Sequence, residues 1–367
     1  MDVRHLDSFF NVRANTLLML IKVDDSIRCK AILLCGGVSQ RMNGKLESLF
    51  GSNNLDYCLD EGAPPYKQFI SMHGVPLFVY SLAEFLSSPL ITEITIATKP
   101  EWNSKVLQFV DSTTGILLRR YMHDSVPPEP SNSKECPDTA YYNDHLRRFP
   151  FFIYDLKELR CVLSNSSSWN EALEHAVKCR DTSRYKVINL CISGDHRAAT
   201  VYNALLRKNA LNARLPGCCR ETYIALVHDA VRPLIRYVDL EQLISSVKHH
   251  GAVVPAVSVL DTIKVGSIEN GTAYVNSTPD RSSLFAIQTP QAFKSSLLMS
   301  AYTNVLDEEG KSLPGWLTDD ASFVEHLGLN KVAITQGHRL NIKVTTWEDI
   351  RVCSQHLKEA YFSESRK

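Results

Sequence analysis

Hydrophobic residues along the chain are grouped in short apolar runs that alternate with segments of helical spacing. The runs Lys30–Cys35, Ile91–Ala97 and Ile224–His228 contain β-branched residues and are typical of buried strands. Further strands are predicted at 151–153, 187–191, 251–257, 284–287, 331–335 and 342–345, and helices at 76–87, 198–206 and about 239–250. This alternation predicts an α/β fold with a mostly parallel, twisted, doubly wound sheet, helices on both faces, and sites at the strand carboxyl ends.

The pattern changes in the second half of the chain, where two runs of alternating residues are separated by a turn signal. Asn270-Gly271 lies between 261–265 and 273–276, and an Asn-Gly pair in this place predicts a β-hairpin. Lys264 then falls in a hairpin strand, where a solvated lysine is common.

The domain organisation follows from the segments that lack such patterns. Residues 1–29 form an extension before the first core strand, and residues 361–367 form a tail. We expect a single domain over 30–360, enlarged by inserts at about 43–65 and 111–186, since both stretches are rich in loop-forming residues.

Composition and charge exclude several classes of partner. The 367 residues are 44% hydrophobic and 22% charged with a formal net charge of zero, so no overall field attracts nucleic acid or a membrane, and any anion site must be local. No stretch approaches the roughly 20 apolar residues of a membrane span. The ten cysteines contain no C-x-x-C spacing, which favours reduced thiols in a soluble intracellular protein over a disulfide framework or zinc site.

The strongest candidate for chemistry is the glycine loop after the first strand. Gly36-Gly37 and Arg41 follow that strand, and Lys67 resumes the ordered pattern beyond the first insert. Glycines allow backbone N–H groups to converge on an anion, and two cations supply the charge that a polyphosphate requires. The spacing matches neither a dinucleotide fingerprint nor a Walker loop. Taken alone, this stretch fits two interpretations about equally well: a phosphate-binding loop, or an ordinary β–α turn with an arginine at the surface.

Other polar residues follow predicted strands, each with two interpretations. Asp229 can bind a metal or accept a sugar hydroxyl, but a helix cap or an ion pair with Arg232 is favoured by spacing alone. Gly194-Asp195 can hold a base or ribose, or Asp195 can simply cap a helix. Arg281 fits a surface turn. Lys343 alternates with apolar neighbours in a predicted strand and therefore faces an opening or solvent.

Six motifs that occur in a fixed order along the chain identify a protein family more specifically than any one of them does. They are Gly36-Gly37…Arg41-Met42…Lys67-Gln68, Leu226–Pro233, Asp261-Thr-Ile-Lys264, Thr289-Pro-Gln-Ala-Phe293, Thr318-Asp-Asp-Ala-Ser322 and Asn341-Ile-Lys-Val-Thr345. Over about residues 30–110 and 187–360 the chain resembles the IspD family, the 2-C-methyl-D-erythritol 4-phosphate cytidylyltransferases of the non-mevalonate isoprenoid pathway.

The resemblance implies a single nucleotidyltransferase-type, Rossmann-like domain with a projecting β-arm at about 258–280. It implies transfer of CMP from CTP to methylerythritol phosphate with release of pyrophosphate, with Mg²⁺ on the CTP phosphates and no side-chain metal ligand assigned. It also implies a homodimer formed through the β-arm.

The resemblance assigns residues to three roles. Catalysis is expected of Arg41, Lys67 and Lys343. CTP is expected to be bound by Cys35, Gly36, Gly37, Gly194, Asp195 and Thr200. The methylerythritol phosphate is expected to be bound by Asp229, Arg232, Thr262, Lys264, Arg281, Thr289 and Lys343, with the arm residues reaching into the partner's site.

The chain departs from the family pattern at several positions. Ser39 replaces a glycine, Tyr66 replaces the proline before the lysine, and Leu340 replaces an aspartate. The loop between Arg41 and Lys67 is also longer than usual, which leaves the resting position of Lys67 open.

Three other functions remain open. They are a ribitol 5-phosphate cytidylyltransferase, a non-catalytic binding module and a sugar-1-phosphate nucleotidyltransferase. The retained Asp-Thr-x-Lys arm motif favours methylerythritol phosphate. The inserts suggest a eukaryotic lineage, so the expected compartment is a plastid-type organelle or otherwise the cytoplasm.

Overall fold

The computed structural model describes residues 29–37, 57–60, 62–118, 151–155, 160–162, 171–172, 185–206, 223–306, 317–328 and 330–362. The strands are β1 (Cys29–Leu34), β2 (Tyr57–Cys58), β3 (Ser71–Met72), β4 (Val75–Pro76), β5 (Ile91–Thr98), β6 (Phe151–Asp155), β7 (Arg160–Val162), β8 (Tyr185–Ile192), β9 (Ile224–Asp229), β10 (Ala252–Ser258), β11 (Val265–Glu269), β12 (Thr272–Ser277), β13 (Phe285–Ile287), β14 (Gln291–Lys294) and β15 (Ala333–Gln336). The α-helices are α1 (Leu77–Ser87), α2 (Asn103–Leu118), α3 (Arg197–Leu206), α4 (Tyr237–His250), α5 (Ser295–Leu306), α6 (Asp320–Leu327) and α7 (Trp347–Leu357).

Ten of these strands form one sheet in the order β13-β10-β14-β9-β1-β5-β8-β6-β7, with β15 also beside β10. The four central strands β9, β1, β5 and β8 pair in parallel, as the alternation of strands and helices predicts. Outside them β14 and β6 pair antiparallel with their neighbours β9 and β8. The carboxyl ends of the central strands therefore meet at one edge of the sheet.

Helices cover both faces of this sheet because alternate residues of each central strand point to opposite sides. On β1, Ala31 and Leu33 pack with apolar residues of α1, α2, α4 and α7. Ile32 points the other way and packs with apolar residues of α3, α5 and α6. All three side chains are fully buried, and each buried leucine or isoleucine contributes roughly 1.5–3 kcal/mol of transfer free energy.

The β-arm is a separate two-stranded sheet of β11 and β12, paired antiparallel. Asn270 (φ 51°) and Gly271 (φ 81°) both have positive φ, which is the turn geometry that an Asn-Gly hairpin requires. Lys264 lies just before β11 rather than within a strand, so its predicted strand position is wrong. The predicted pairing reaches only to Val265, whose register with β12 is already shifted.

One further predicted element differs from the structure. Residues 342–345 form no strand, because their backbone link to the core is the bond from Val344 N–H to the Val231 carbonyl rather than a ladder. Within 111–186, the stretch expected as an insert, α2 extends as far as Leu118, and β6 pairs with β8 at the sheet. The extension 1–28 and residues 38–56 lie outside the described ranges.

No helix in the described part of the chain is both long enough and apolar enough to cross a membrane.

Candidate active site

The register of the central sheet brings the carboxyl ends of its four parallel strands to one level. Leu34, the last residue of β1, pairs with Ala97 of β5 on one side and with Asp229 of β9 on the other. Ala97 in turn pairs with Cys191 of β8. The segments that follow these strands must therefore lie side by side at the carboxyl edge.

The glycine loop is packed against the segment that follows β8. Cys35 N–H donates to the Ala97 carbonyl (2.8 Å), which extends the pairing of β1 by one residue. A Cβ atom at Gly36 would lie 2.3 Å from the Cβ of Ser193, so only glycine allows this approach. The structure thus brings two segments predicted to bind CTP against each other: the glycine loop and the segment in which Ser193 precedes Gly194.

The loop before α3 is held by Thr200. Its Oγ1 accepts a hydrogen bond from Gly194 N–H (3.0 Å) and lies 3.0 Å from the His196 carbonyl, to which it donates. A Cβ at Gly194 would lie 2.5 Å from the Cβ of Ala199, so this position also needs glycine. Thr200 therefore holds the loop through its own hydrogen bonds, whereas the family resemblance implies a contact with CTP.

Asp195 is exposed at the same loop. The alternative interpretation of Asp195 as a plain helix cap is wrong, because α3 begins at Arg197 and Ala199 N–H donates to His196 Nδ1 (3.1 Å). His196 occupies the capping position, and the Asp195 carboxylate is left at the surface of the site.

Lys67 is carried by a short 3₁₀ turn, Lys67–Phe69, whose next residue reaches the glycine loop. Gln68 is buried, and its Nε2 donates to the Cys35 carbonyl (2.7 Å) and the Gly37 carbonyl (3.1 Å). The structure therefore places the Lys67 segment against the glycine loop. Arg41, the other predicted catalytic cation, lies outside the described residues.

Asp229 is the centre of a cluster of charges at the carboxyl end of β9. Its carboxylate lies 2.9 Å from Lys343 Nζ, 3.5 Å from Arg197 Nε and 3.8 Å from Arg232 Nε. Burial by itself raises the pKa of this carboxyl, but Arg197 and Lys343 outweigh it and hold the pKa below its usual range. The ion pair with Arg232 that spacing favours is present, and it belongs to a larger network.

Thr289 and His228 support Asp229 from behind. Thr289 Oγ1 accepts from Asp229 N–H (3.1 Å) and lies 3.0 Å from His228 Nδ1. His228 Nε2 lies 3.1 Å from the Arg232 carbonyl, which can only accept, so the proton sits on Nε2 and Thr289 donates to Nδ1. Burial lowers the pKa of His228 to about 3, so its imidazole is neutral.

Two hydrogen bonds join the motifs that contain these residues. Arg232 Nη1 donates to the Asn341 carbonyl (2.8 Å), and Asn341 Nδ2 donates to the Thr289 carbonyl (2.9 Å). Arg232, Thr289 and the segment carrying Lys343 are therefore held together by these two bonds.

Sequence reasoning missed the inner half of this network. Arg197 Nη2 lies 2.6 Å from Oδ2 of the fully buried Asp320, whose Oδ1 accepts from Tyr302 Oη (2.6 Å). Burial lowers the pKa of Arg197, but Asp320 and Asp229 outweigh that effect and raise it. The available signals were Arg197 next to the Gly194-Asp195 loop and the tandem Asp319-Asp320 before a helix.

The arm residues predicted for substrate lie apart from this cluster within the described chain. Lys264 Nζ donates to Thr278 Oγ1 (2.6 Å), and Arg281 Nη1 donates to the Leu260 carbonyl (2.8 Å). Thr262 is exposed on the same arm. None of these contacts joins the arm to Asp229, so the structure does not bring Thr262, Lys264 and Arg281 together with the other candidates.

The described residues contain no group of three or more His, Cys, Asp or Glu side chains placed to hold a metal ion. Asp229 is ion-paired with three cations, an environment that does not fit a side-chain ligand of Mg²⁺.

The sheet is parallel at its centre, and a glycine loop and three cations around Asp229 lie at its carboxyl edge, as in an α/β domain of the nucleotidyltransferase type. The fold is similar to a solved structure from Anaerococcus prevotii described as 4-diphosphocytidyl-2C-methyl-D-erythritol synthase. That similarity has a TM-score of 0.52 at 18% identity and covers 91% of this chain and 97% of the other.

Sequence comparison is more specific. The family model described as IspD, 2-C-methyl-D-erythritol 4-phosphate cytidylyltransferase, matches residues 170–359, and the chain belongs to this family. A Bacillus pumilus protein of that name is 34% identical over 215 residues, covering 56% of this chain and 84% of the relative. A Geobacillus kaustophilus protein of that name is 43% identical over 166 residues, covering 45% of this chain and 63% of the relative. The match therefore spans less than two thirds of the Geobacillus protein.

Proposed function

We propose that the chain is a cytidylyltransferase that transfers CMP from CTP to 2-C-methyl-D-erythritol 4-phosphate, giving CDP-methylerythritol and pyrophosphate. One observation carries the proposal: the Asp229 carboxylate, held by Lys343, Arg232 and Arg197, lies level with the start of the glycine loop, with the Lys67 segment packed on that loop. An anionic nucleotide and a phosphorylated polyol need such neighbouring sites.

The nucleotide half of the site is assigned to the two packed loops. In this proposal the backbone of Cys35, Gly36 and Gly37 faces the triphosphate, while Gly194, Asp195 and Thr200 form the cytidine pocket. The contact between Gly36 and Ser193 supports this division because it makes the two loops one continuous surface. Gly194 and Thr200 act mainly through the shape of their loop, and Asp195 is exposed to meet a ribose or base.

The acceptor half is assigned to the Asp229 cluster. Lys343 is partly exposed, with 43% of its side chain accessible, so its ammonium can reach a substrate phosphate while it touches Asp229. Asp229 stays ionised and can accept a polyol hydroxyl. Arg232 and Thr289 hold the cluster in place, since each is already bonded to Asn341 or His228.

Transfer then proceeds by in-line displacement. A phosphate oxygen of the acceptor attacks the α-phosphorus of CTP, a new P–O bond forms, and the bond to pyrophosphate breaks. Such reactions depend on positioning and neutralisation of charge. Lys67 and Arg41 are assigned to the developing charge on the transferring phosphoryl group, with Lys343 beside the attacking phosphate. Mg²⁺, if bound, is assigned to the phosphates of CTP, because Asp229 is already neutralised by cations.

We also propose that the active form is a homodimer joined through the β-arm. The arm exposes large apolar side chains, with Ile268 78%, Val275 64% and Leu260 63% accessible. Thr262, Lys264 and Arg281 lie on the same arm, so a second copy would bring them to a neighbouring acceptor site. The compartment, plastid-type or cytoplasmic, stays a prediction.

The test of function is an assay of pyrophosphate release with CTP and either methylerythritol phosphate or ribitol 5-phosphate. We expect the methyl-branched acceptor to be strongly preferred, and Lys67→Ala to lower kcat by at least ~100-fold, the effect of losing a donor to the transition state. A preference for ribitol 5-phosphate would contradict methylerythritol phosphate as the acceptor. Unchanged turnover in Lys67→Ala would contradict the proposed mechanism.

A nucleotide panel provides an independent check. CTP should raise the melting temperature more than ATP, GTP or UTP at equal concentration, since a ligand stabilises the folded state by mass action. A protein whose melting temperature none of them raises would contradict the proposed nucleotide site.

A further inference from the structure

We propose that Gln68 is a positioning residue for the triphosphate. Its carboxamide ties the glycine loop to the turn that carries Lys67, and so sets both the direction of the loop's peptide groups and the distance of the lysine from them. This inference rests on the proposed function, because it concerns how the same site holds CTP.

The carboxamide has both of its donors committed to the loop. Nε2 donates to the Cys35 carbonyl (2.7 Å) and to the Gly37 carbonyl (3.1 Å), and the side chain is 3% exposed. These carbonyls belong to alternate residues, so one side chain fixes two peptide groups of the loop at once. A single buried amide making two bonds across 31 and 33 positions is a crosslink between distant segments.

The crosslink determines where a loop N–H points. In a trans peptide the carbonyl of one residue and the N–H of the next face opposite ways, and the bond between Cys35 and Gly36 is trans. With the Cys35 carbonyl turned to Gln68, the Gly36 N–H is turned away from it. That N–H donates to none of the residues that the structure describes, as suits a donor reserved for an anion.

The same turn is anchored on its other side by aromatic packing. Phe69 is fully buried, with its ring centroid 5.9 Å from that of Phe78 and 5.4 Å from that of Trp102. The ring of Tyr66, which precedes the lysine, packs against that of Trp102 with the centroids 4.5 Å apart and the planes tilted by 40°. Because Gln68 and Phe69 are both held by these contacts, the backbone of Lys67 is anchored beside the glycine loop. Tyr66 and Trp102 supply rigidity where the family pattern has a proline.

The test uses Gln68→Met, which keeps the length of the side chain and removes both donors. We expect the affinity for CTP to fall about 10-fold and kcat to fall about 10- to 100-fold, the effect of two lost buried hydrogen bonds. The affinity for CMP and the KM for methylerythritol phosphate should stay within about twofold, because those sites do not contain Gln68. Gln355→Met, the same change on the exposed face of α7, should match the wild type throughout.

A general loss of structure would give a different result, since the affinities for CMP and CTP would then fall together. That outcome, or an unchanged affinity for CTP in a folded Gln68→Met protein, overturns the inference. If Gln68→Met does not fold, Gln68→Asn retains the amide but is too short to reach both carbonyls, and it should show the same selective loss to a smaller degree. A wild-type protein that binds no CTP would overturn the proposed function itself.

Discussion

The carboxylate of Asp229 and the ammonium of Lys343 are 2.9 Å apart, although one ends a central strand and the other lies in an irregular segment before the last helix. The contact is possible because Val344 N–H bonds to the Val231 carbonyl and brings the two segments together. The alternating pattern at 342–345 predicts a strand, and the structure replaces it with a single backbone bond that leaves the lysine partly exposed.

We predict that Asp229→Asn destabilises the protein at neutral pH. Removing one partner of a buried ion pair costs about 3–5 kcal/mol, and we expect about 2 kcal/mol because Lys343 is partly exposed to water. The folded-state pKa of Asp229 is lowered, so its stabilisation is fully present above the unfolded value near 3.8, begins to decrease below it, and is lost once the pH falls through the folded-state pKa. Urea unfolding at pH 7 and at pH 3.5 should show the difference between wild type and variant shrinking at the lower pH. A constant difference would contradict the network.

We predict that His228 makes the free energy of unfolding depend on pH, and that a His228 variant loses this dependence. Its pKa is lowered to about 3 by burial, so between pH 6.5 and 3 the unfolded chain binds a proton that the folded chain does not. The free energy of unfolding should fall by about 1.4 kcal/mol per pH unit between pH 6 and 4 from this residue. His228→Gln should remove that slope. Equal slopes in wild type and variant would show that the imidazole can be protonated in place.

The parts of the molecule that follow from local pattern were predicted well. The strands Ile91–Thr98 and Ile224–Asp229 are short apolar runs, and the Asn270-Gly271 turn depends on two residues with positive φ. The network behind Asp229 could not be predicted from the sequence, because only tertiary packing brings Arg197, Tyr302 and Asp320 together. Their spacing along the chain carries no periodic signal.

The Arg197 network should behave as a coupled unit. Arg197→Met and Tyr302→Phe each remove one partner of the buried Asp320 carboxylate. Their effects on the free energy of unfolding should differ from additivity by about 1 kcal/mol or more, since residues that share a partner interact energetically. Pairing Arg197→Met with Tyr274→Phe, on the exposed arm, should give simple additivity. Additive effects for the first pair would mean that Arg197 and Tyr302 act on Asp320 independently.

The exposed face of the β-arm predicts the oligomeric state. Ile268 pairs with Ala273, and Gly266 pairs with Val275, so Ile268 and Val275 lie on one face of the hairpin. Burying one such side chain contributes roughly 1.5–3 kcal/mol, so Ile268→Lys should weaken dimerisation by at least about 10-fold in sedimentation equilibrium. Tyr274→Lys, on the opposite face, should have a smaller effect. In Ile268→Lys, activity should fall with the dimer and recover at high protein concentration, because in the dimer proposed above the partner's arm would complete the acceptor site. A fully active monomer would separate the arm from catalysis.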